Sequence, residues 1–441
     1  MKIDLSEKNI NKNIVLGVAY KPISMLLSYI YVPVALSFLG EEKYGVWATI
    51  LSVLSWISLF DIGIGNGLRN KLAECFTNNN DDDDEHSVKK YVSSAYIMLA
   101  IIVFSAMALF IVVFSFINWN VFFKVGKDFE DNLRLVMILS TVFMCISFVL
   151  SICKSIYRAM QSNHIVNLMG VLQQALMLLS ILVLSKMTSN NLVYVAIIYG
   201  ASDLIVELIF TFQLFRTNRC FVPNLKYFSK KEAKATTNLG ILFFIVQIAT
   251  MVLYTTDNII ITQVVGASEV TSYTTANKLF SMITAVFSIV VAPYWSAITA
   301  YKSQKDWRAI NTGKKKMLTL WGMATFGCIL LIIVFKPIVR IWLGRTLHFQ
   351  EGLVPLMAVY AIIYMWNTVY AQIGNGLEMM KVSVINAILQ GVINIPLSLV
   401  FAVSLHMGTV GVLLGTVLSM SISAIVMPIY IKKFLNNVVQ K

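Results

Sequence analysis

Twelve apolar runs follow one another along this 441-residue chain, separated by short polar stretches. A helix that crosses a bilayer needs ~20 mostly apolar residues. The runs fall at 13–39, 44–60, 91–118, 133–153, 165–185, 191–215, 238–264, 271–300, 317–335, 352–375, 383–405 and 409–431. The pattern predicts an all-α integral membrane protein with 12 transmembrane helices. An even number of spans returns the chain to its starting side, so both termini are expected in one compartment.

The basic loop 216–237, on the terminus-bearing side, divides the chain into two halves of six spans. Sliding one half over the other by 226 residues puts Gly40 on Gly266 and Trp47 on Tyr273. Each glycine ends the first span of its half. Small or helix-breaking residues then recur at Gly65–Gly67 and Ala292–Pro293, and tryptophans at Trp119 and Trp342. Together these predict an internal duplication. Six spans per half give both halves one orientation, a parallel repeat about an axis along the membrane normal. The expected organisation is an N-lobe at 1–215, a basic cytoplasmic linker at 216–237, and a C-lobe at 238–441.

Composition sharpens this picture. Hydrophobic residues make up 58% of the chain and the net charge is +13, with a mean hydropathy of +0.75. Loops on the side of the termini hold 25 Lys and Arg against eight on the other side, and Lys21 and Lys278 fall inside spans. Excess Lys and Arg marks the cytoplasmic side, so both termini are expected there. The positive charge is a topology signal; no soluble basic domain exists to bind nucleic acid. Asp81–Glu85 is expected as a solvated cytoplasmic loop. Five scattered cysteines and four separated histidines carry no metal spacing, and no phosphate-loop motif occurs. No metal or cofactor is expected. The short far-side loops offer no extramembrane catalytic surface, which disfavours an enzyme.

Polar positions inside the spans carry the chemistry. In span one Lys21, Ser24, Ser28 and Tyr31 share one helical face, and the 226-residue shift lands on Gln247, Thr250, Tyr254 and Asp257 of span seven. A polar stripe in hydrocarbon must face protein or water. These stripes either line the space between the lobes or serve helix–helix hydrogen bonding. Asn386, Gln390 and Asn394 form a further stripe in span eleven. Intramembrane charges are functional candidates by default. Lys21 and Lys278 need compensation, and Asp203 and Glu207, four residues apart in span six, present two carboxylates on one face. They either pair with these lysines or titrate during transport. Asp61 and Arg69 border the second span, and Asp257 completes the set of acidic coupling candidates.

Two segments then carry a resemblance. LGEEKYGVW at 39–47 and FDIGIGNGLRNKLAE at 60–74 resemble the first-hairpin signature of Wzx-type polysaccharide flippases, and YRAMQ at 157–161 and IWLG at 341–344 are similar to that family too. The likeness runs end to end. It implies a MATE-like fold of the multidrug/oligosaccharidyl-lipid/polysaccharide exporter superfamily: two six-helix lobes, alternating access, and a cationic cavity. It implies as substrate an undecaprenyl-diphosphate-linked oligosaccharide of O-antigen or a similar surface polysaccharide. The carrier would sit in the bacterial inner membrane and bind no cofactor. Its partners would be the lipid bilayer, a polysaccharide polymerase and a chain-length regulator.

The substrate makes physical sense of the residues. A charged diphosphate cannot cross ~30 Å of hydrocarbon unaided. Lys21 and Lys278 would contact it, with Arg69 at the entrance, through charge-assisted hydrogen bonds. Ser24, Ser28, Tyr31, Gln247, Thr250, Tyr254, Asn386, Gln390 and Asn394 would face the sugars. The competing expectation is an ion-coupled multidrug or organic-cation antiporter of the same superfamily. Span one carries Lys21 and no acid, which departs from the drug-extruding pattern. A membrane polysaccharide polymerase or ligase is the third reading.

Overall fold

A computed structural model of the chain describes residues 7–56, 64–77, 81–126, 129, 132–187, 190–377 and 379–439. Within these, the side chains of 7–18, 66, 73–74, 77, 81–85, 235–247, 249–250, 254, 296, 300, 380–381 and 438–439 are not described. In order, the helices are α1 (Glu7–Leu39), α2 (Glu41–Ser55), α3 (Ile64–Thr77), α4 (Asp81–Phe116), the single turn α5 (Trp119–Phe122), α6 (Leu133–Leu150), α7 (Ile152–Ala159), α8 (Asn163–Met187) and α9 (Leu192–Thr217). The second half continues with α10 (Lys230–Val264), α11 (Ala267–Val291), α12 (Tyr294–Ser303), α13 (Trp307–Leu343), α14 (Leu353–Gly376), α15 (Met380–Leu399) and α16 (Gly408–Val439). Among the described residues all regular structure is helical.

Among the described residues, ten helical stretches are long and apolar enough to cross a membrane. This is a multi-pass membrane protein. The remaining two of the twelve expected spans are 44–60, which α2 enters and whose last residues lie outside the described set, and 238–264, which lies along α10.

Helix ends explain where the apolar runs misplace boundaries. The acidic run Asp81–Glu85, expected as a loop, is the start of α4. The 301–316 stretch is likewise shorter than expected as a loop. Asp306 caps α13 by accepting a hydrogen bond from the Ala309 amide at 2.9 Å, so the helix begins ten residues before the apolar run does. The run 271–300 breaks where Ala292–Pro293 predicts: α11 stops at Val291 and α12 restarts at Tyr294, because proline lacks the amide that would continue the ladder.

The duplication is visible in the backbone. Gly40 and Gly266 each cap the N-terminus of the following helix, with φ of 80° and 135°. Both values disfavour a side chain. The helices α4 and α13 start at residues 81 and 307, again 226 apart.

Two compact units emerge: Met1–Lys43 with Val53–Phe244, and Tyr44–Ser52 with Ile245–Lys441. In the first, α1 packs on α8, α8 on α9, α9 on α6, and α6 on α4. The segment after α9 folds onto α4, where the hydroxyls of Ser93 and Ser94 accept from the amides of Asn224 (3.1 Å) and Ser229 (2.9 Å). In the second unit α14 is central, against α11, α12, α13 and α16. There α15 and α16 meet backbone to backbone. A Cβ on Gly415 would lie 2.5 Å from the Ser398 amide, and one on Gly411 would lie 2.6 Å from the Phe401 carbonyl carbon. Small residues permit such approach in membrane bundles.

The second unit also contains part of α2. Thr49 shares a hydrogen bond with Thr262 at 2.7 Å, and the Asn258 side-chain amide donates to the Ser52 hydroxyl at 2.9 Å.

Candidate functional site: buried charge in each unit

In the first unit the apolar run ending at Cys153 does not end the helix. One continuous span, Leu133–Ala159, carries Lys154 onto the face that meets α9. There Lys154 Nζ donates to Glu207 Oε1 at 2.6 Å, and the Glu207 side chain is 2% exposed. Asp203, one turn earlier on α9, accepts from the Ser147 hydroxyl at 2.7 Å. A buried carboxylate must be paired or hydrogen-bonded, and a charge-assisted bond of this kind contributes about 1.5–3 kcal/mol. The sequence offers Lys21 or Lys278 as partners of these acids. For Glu207 the structure shows Lys154 as the partner, a residue that charge counting assigns to a loop.

The second unit holds a different arrangement. Asp257 on α10 is buried and accepts from the Tyr273 hydroxyl at 2.6 Å and from the Thr416 hydroxyl at 2.8 Å. Asn394 of α15 donates to the Thr416 oxygen at 2.9 Å and accepts from the Thr256 hydroxyl at 3.3 Å. Three helices thus meet at one carboxylate, and α15 joins them through Thr416. All of the carboxylate's donors among the described residues are neutral. Neutral donors leave such a carboxyl able to take up and release a proton.

The other predicted residues are placed as follows. Lys21 is exposed on α1, and Ser24 and Ser28 are half-buried. Ser24 faces the α8 backbone at Gly170, a helix–helix contact. Tyr31 is buried. Arg69 is exposed on α3, which packs on α7 and brings the Arg69 charge within reach of Arg158. Lys278 is half-buried on α11. Asn386 and Gln390 are buried on α15 with Asn394. Asp61 lies outside the described residues, as do the side chains of Gln247, Thr250 and Tyr254.

Four functional candidates escape sequence reasoning: Ser147, Lys154, Tyr273 and Thr416. Only Lys154 leaves a signal. It begins an amphipathic turn directly after an apolar run, where a helix continues as readily as it stops.

Comparison with known proteins places the fold and the family. Residues 10–299 match the family described as polysaccharide biosynthesis protein. The chain belongs to that family. Its similar relatives include a "Putative O-antigen transporter" of Salmonella typhimurium, 23% identical over 94% of this chain and 92% of the relative. Another is a "Putative O-antigen export protein" of Yersinia pseudotuberculosis, 24% identical over 91% and 90%. Both are named for transport, not catalysis. Among solved structures, an inward-facing multidrug resistance MATE transporter of the MOP superfamily aligns over 96% of this chain and 99% of its own, with a TM-score of 0.78 at 15% identity. An outward-facing MATE transporter aligns with a TM-score of 0.66 at 15% identity, covering 98% and 97%. This polysaccharide biosynthesis family member therefore has the MATE-type fold.

Proposed function

We propose that the protein is a flippase. It moves a polyprenyl-diphosphate-linked oligosaccharide repeat unit, of O-antigen or a similar surface polysaccharide, from the cytoplasmic to the outer leaflet. The observation that carries this reading is similarity over nine-tenths of the chain to proteins named for O-antigen transport and export. The carrier works by alternating access between lobes at 1–215 and 238–441, joined by the linker 216–237. It sits in the bacterial inner membrane with both termini cytoplasmic, and a polysaccharide polymerase with its chain-length regulator consumes the product.

In this reading Lys21 and Lys278 hold the diphosphate and Arg69 receives it. Ser24, Ser28, Tyr31, Gln247, Thr250, Tyr254, Asn386, Gln390 and Asn394 serve the sugars. Asp203, Glu207, Asp61 and Asp257 are the coupling candidates. The Lys154–Glu207 pair supports such a role, since a carboxylate that loses and regains its ammonium as helices shift takes up and releases a proton.

A second reading, an ion-coupled multidrug or organic-cation antiporter, draws on the MATE fold and on the buried carboxylates Glu207 and Asp257. Gene deletion separates the two. Loss of surface polysaccharide with accumulation of lipid-linked repeat units inside is the expected result. Normal polysaccharide with raised dye or drug sensitivity would establish the antiporter. Single repeat units displayed outside would point to a polymerase.

A further inference from the structure

Two helices of the second unit present matching polar faces. On α14, Tyr364, Asn367, Thr368 and Ala371 fall at i, i+3, i+4 and i+7; on α15, Ser383, Asn386, Ala387 and Gln390 do the same. This spacing lines up one side of a helix. Between them, with α16 contributing Ser423, lies a cavity of about 280 Å³. That is room for about nine waters at ~30 Å³ each.

The chemistry of the wall is specific. Its described lining residues are amides, hydroxyls and apolar groups, with no charged side chain. Two of its amide atoms are buried and have no partner among the described residues: the donor Asn386 Nδ2 and the acceptor Asn367 Oδ1. Asn386 is 5% exposed. Two further amide groups of the wall are already bonded. Asn367 Nδ2 donates to the Met420 carbonyl at 3.0 Å, and Gln390 Nε2 donates to the Asn386 carbonyl at 3.0 Å. Buried polar groups without partners are uncommon and call for a ligand or water.

We propose that this cavity is a saccharide subsite that takes an uncharged sugar ring of the carried oligosaccharide. The inference rests on the flippase reading and deepens it. A sugar hydroxyl is both donor and acceptor, so adjacent hydroxyls satisfy Asn386 Nδ2 and Asn367 Oδ1 together. A diphosphate finds no cation among the described lining residues, and an organic cation finds no carboxylate there. Sugar identity is read here, apart from the charged end of the substrate.

The test uses the full-length protein in lipid nanodiscs. The probes are the methyl glycosides of glucose, galactose and N-acetylglucosamine, with inorganic pyrophosphate as an anion control, and binding is followed by saturation-transfer NMR. Two variants are compared with wild type. Asn386→Leu removes the free donor, and Ala371→Leu fills the cavity without touching any hydrogen bond. The expected result is saturable binding of at least one glycoside, weakened tenfold or more in Ala371→Leu and in Asn386→Leu, with the pyrophosphate response unchanged. Glycoside binding that is absent from wild type, or that survives the filled cavity at full strength, overturns the proposal. Should Asn386→Leu fail to reach the membrane, Ala371→Leu alone decides. The flippase reading fails by a different signal, normal surface polysaccharide in the deletion strain.

Discussion

Lys154 and Glu207, 53 residues apart in sequence, form an ion pair at 2.6 Å in which the glutamate side chain is almost fully enclosed and the lysine side chain is a quarter exposed. The burial is lopsided, so the two partners are not equivalent to remove. Deleting the lysine strands an enclosed negative charge; deleting the glutamate leaves a cation on a longer, partly exposed side chain. Lys154→Met should therefore lower stability by about 3 kcal/mol, more than Glu207→Gln does. The double variant Lys154→Met/Glu207→Leu should recover most of the loss. Melting temperatures of the purified protein in detergent check the order.

Coupling through carboxylates has a separable signature. Flipping in proteoliposomes should respond to an imposed pH or sodium gradient. Asp203→Asn, Glu207→Gln or Asp257→Asn should remove that response while substrate binding persists. Asp257→Asn should also leave the fold intact, since the hydroxyls of Tyr273 and Thr416 can still donate to the amide oxygen. A wild-type carrier indifferent to both gradients would leave product consumption by the polymerase as the driving force.

The lysines make a sharper test of the diphosphate site. Lys278→Glu and Lys21→Glu should abolish polysaccharide export with normal protein in the membrane fraction, and the arginine variants should retain part of it. Wild-type export by both alanine variants would remove these residues from the site.

Packing predictions need no transport assay. A side chain at Gly415 collides with the Ser398 backbone, so Gly415→Leu should cost about 3 kcal/mol and deplete the folded protein. At Gly322, on α13, an added Cβ would meet nothing within 4 Å; Gly322→Ala should stabilise by up to about 1 kcal/mol through helix propensity. The two melting temperatures should move in opposite directions.

The membrane spans, the duplication and the break at Pro293 are readable in the sequence because each rests on local chemistry. Apolar length, a glycine that accepts positive φ and a proline without an amide all announce themselves in a short window. The buried charges do not. Lys154 closes an apolar run and reads as a loop residue, because hydropathy records the cost of a charge and not the carboxylate on another helix that offsets it. Asp257 is legible as an intramembrane acid, yet Thr416, one of its donors, lies 159 residues away and is an ordinary threonine in an apolar helix. The Asn367 face of α14 has the right spacing and still escapes notice, since its polar residues are uncharged and mixed with aromatics.

The placement of residues 44–52 with the second unit has a consequence for biosynthesis. Thr49 and Ser52 find their hydrogen-bonding partners at Thr262 and Asn258, which follow 213 and 206 residues later. At translation rates of about 5–20 residues per second, this part of α2 waits roughly 10–40 s before its contacts exist. During that interval the nascent chain holds a helix whose hydroxyls lack their final neighbours. Chains arrested between α9 and α10 should accordingly be the form that membrane proteases clear fastest.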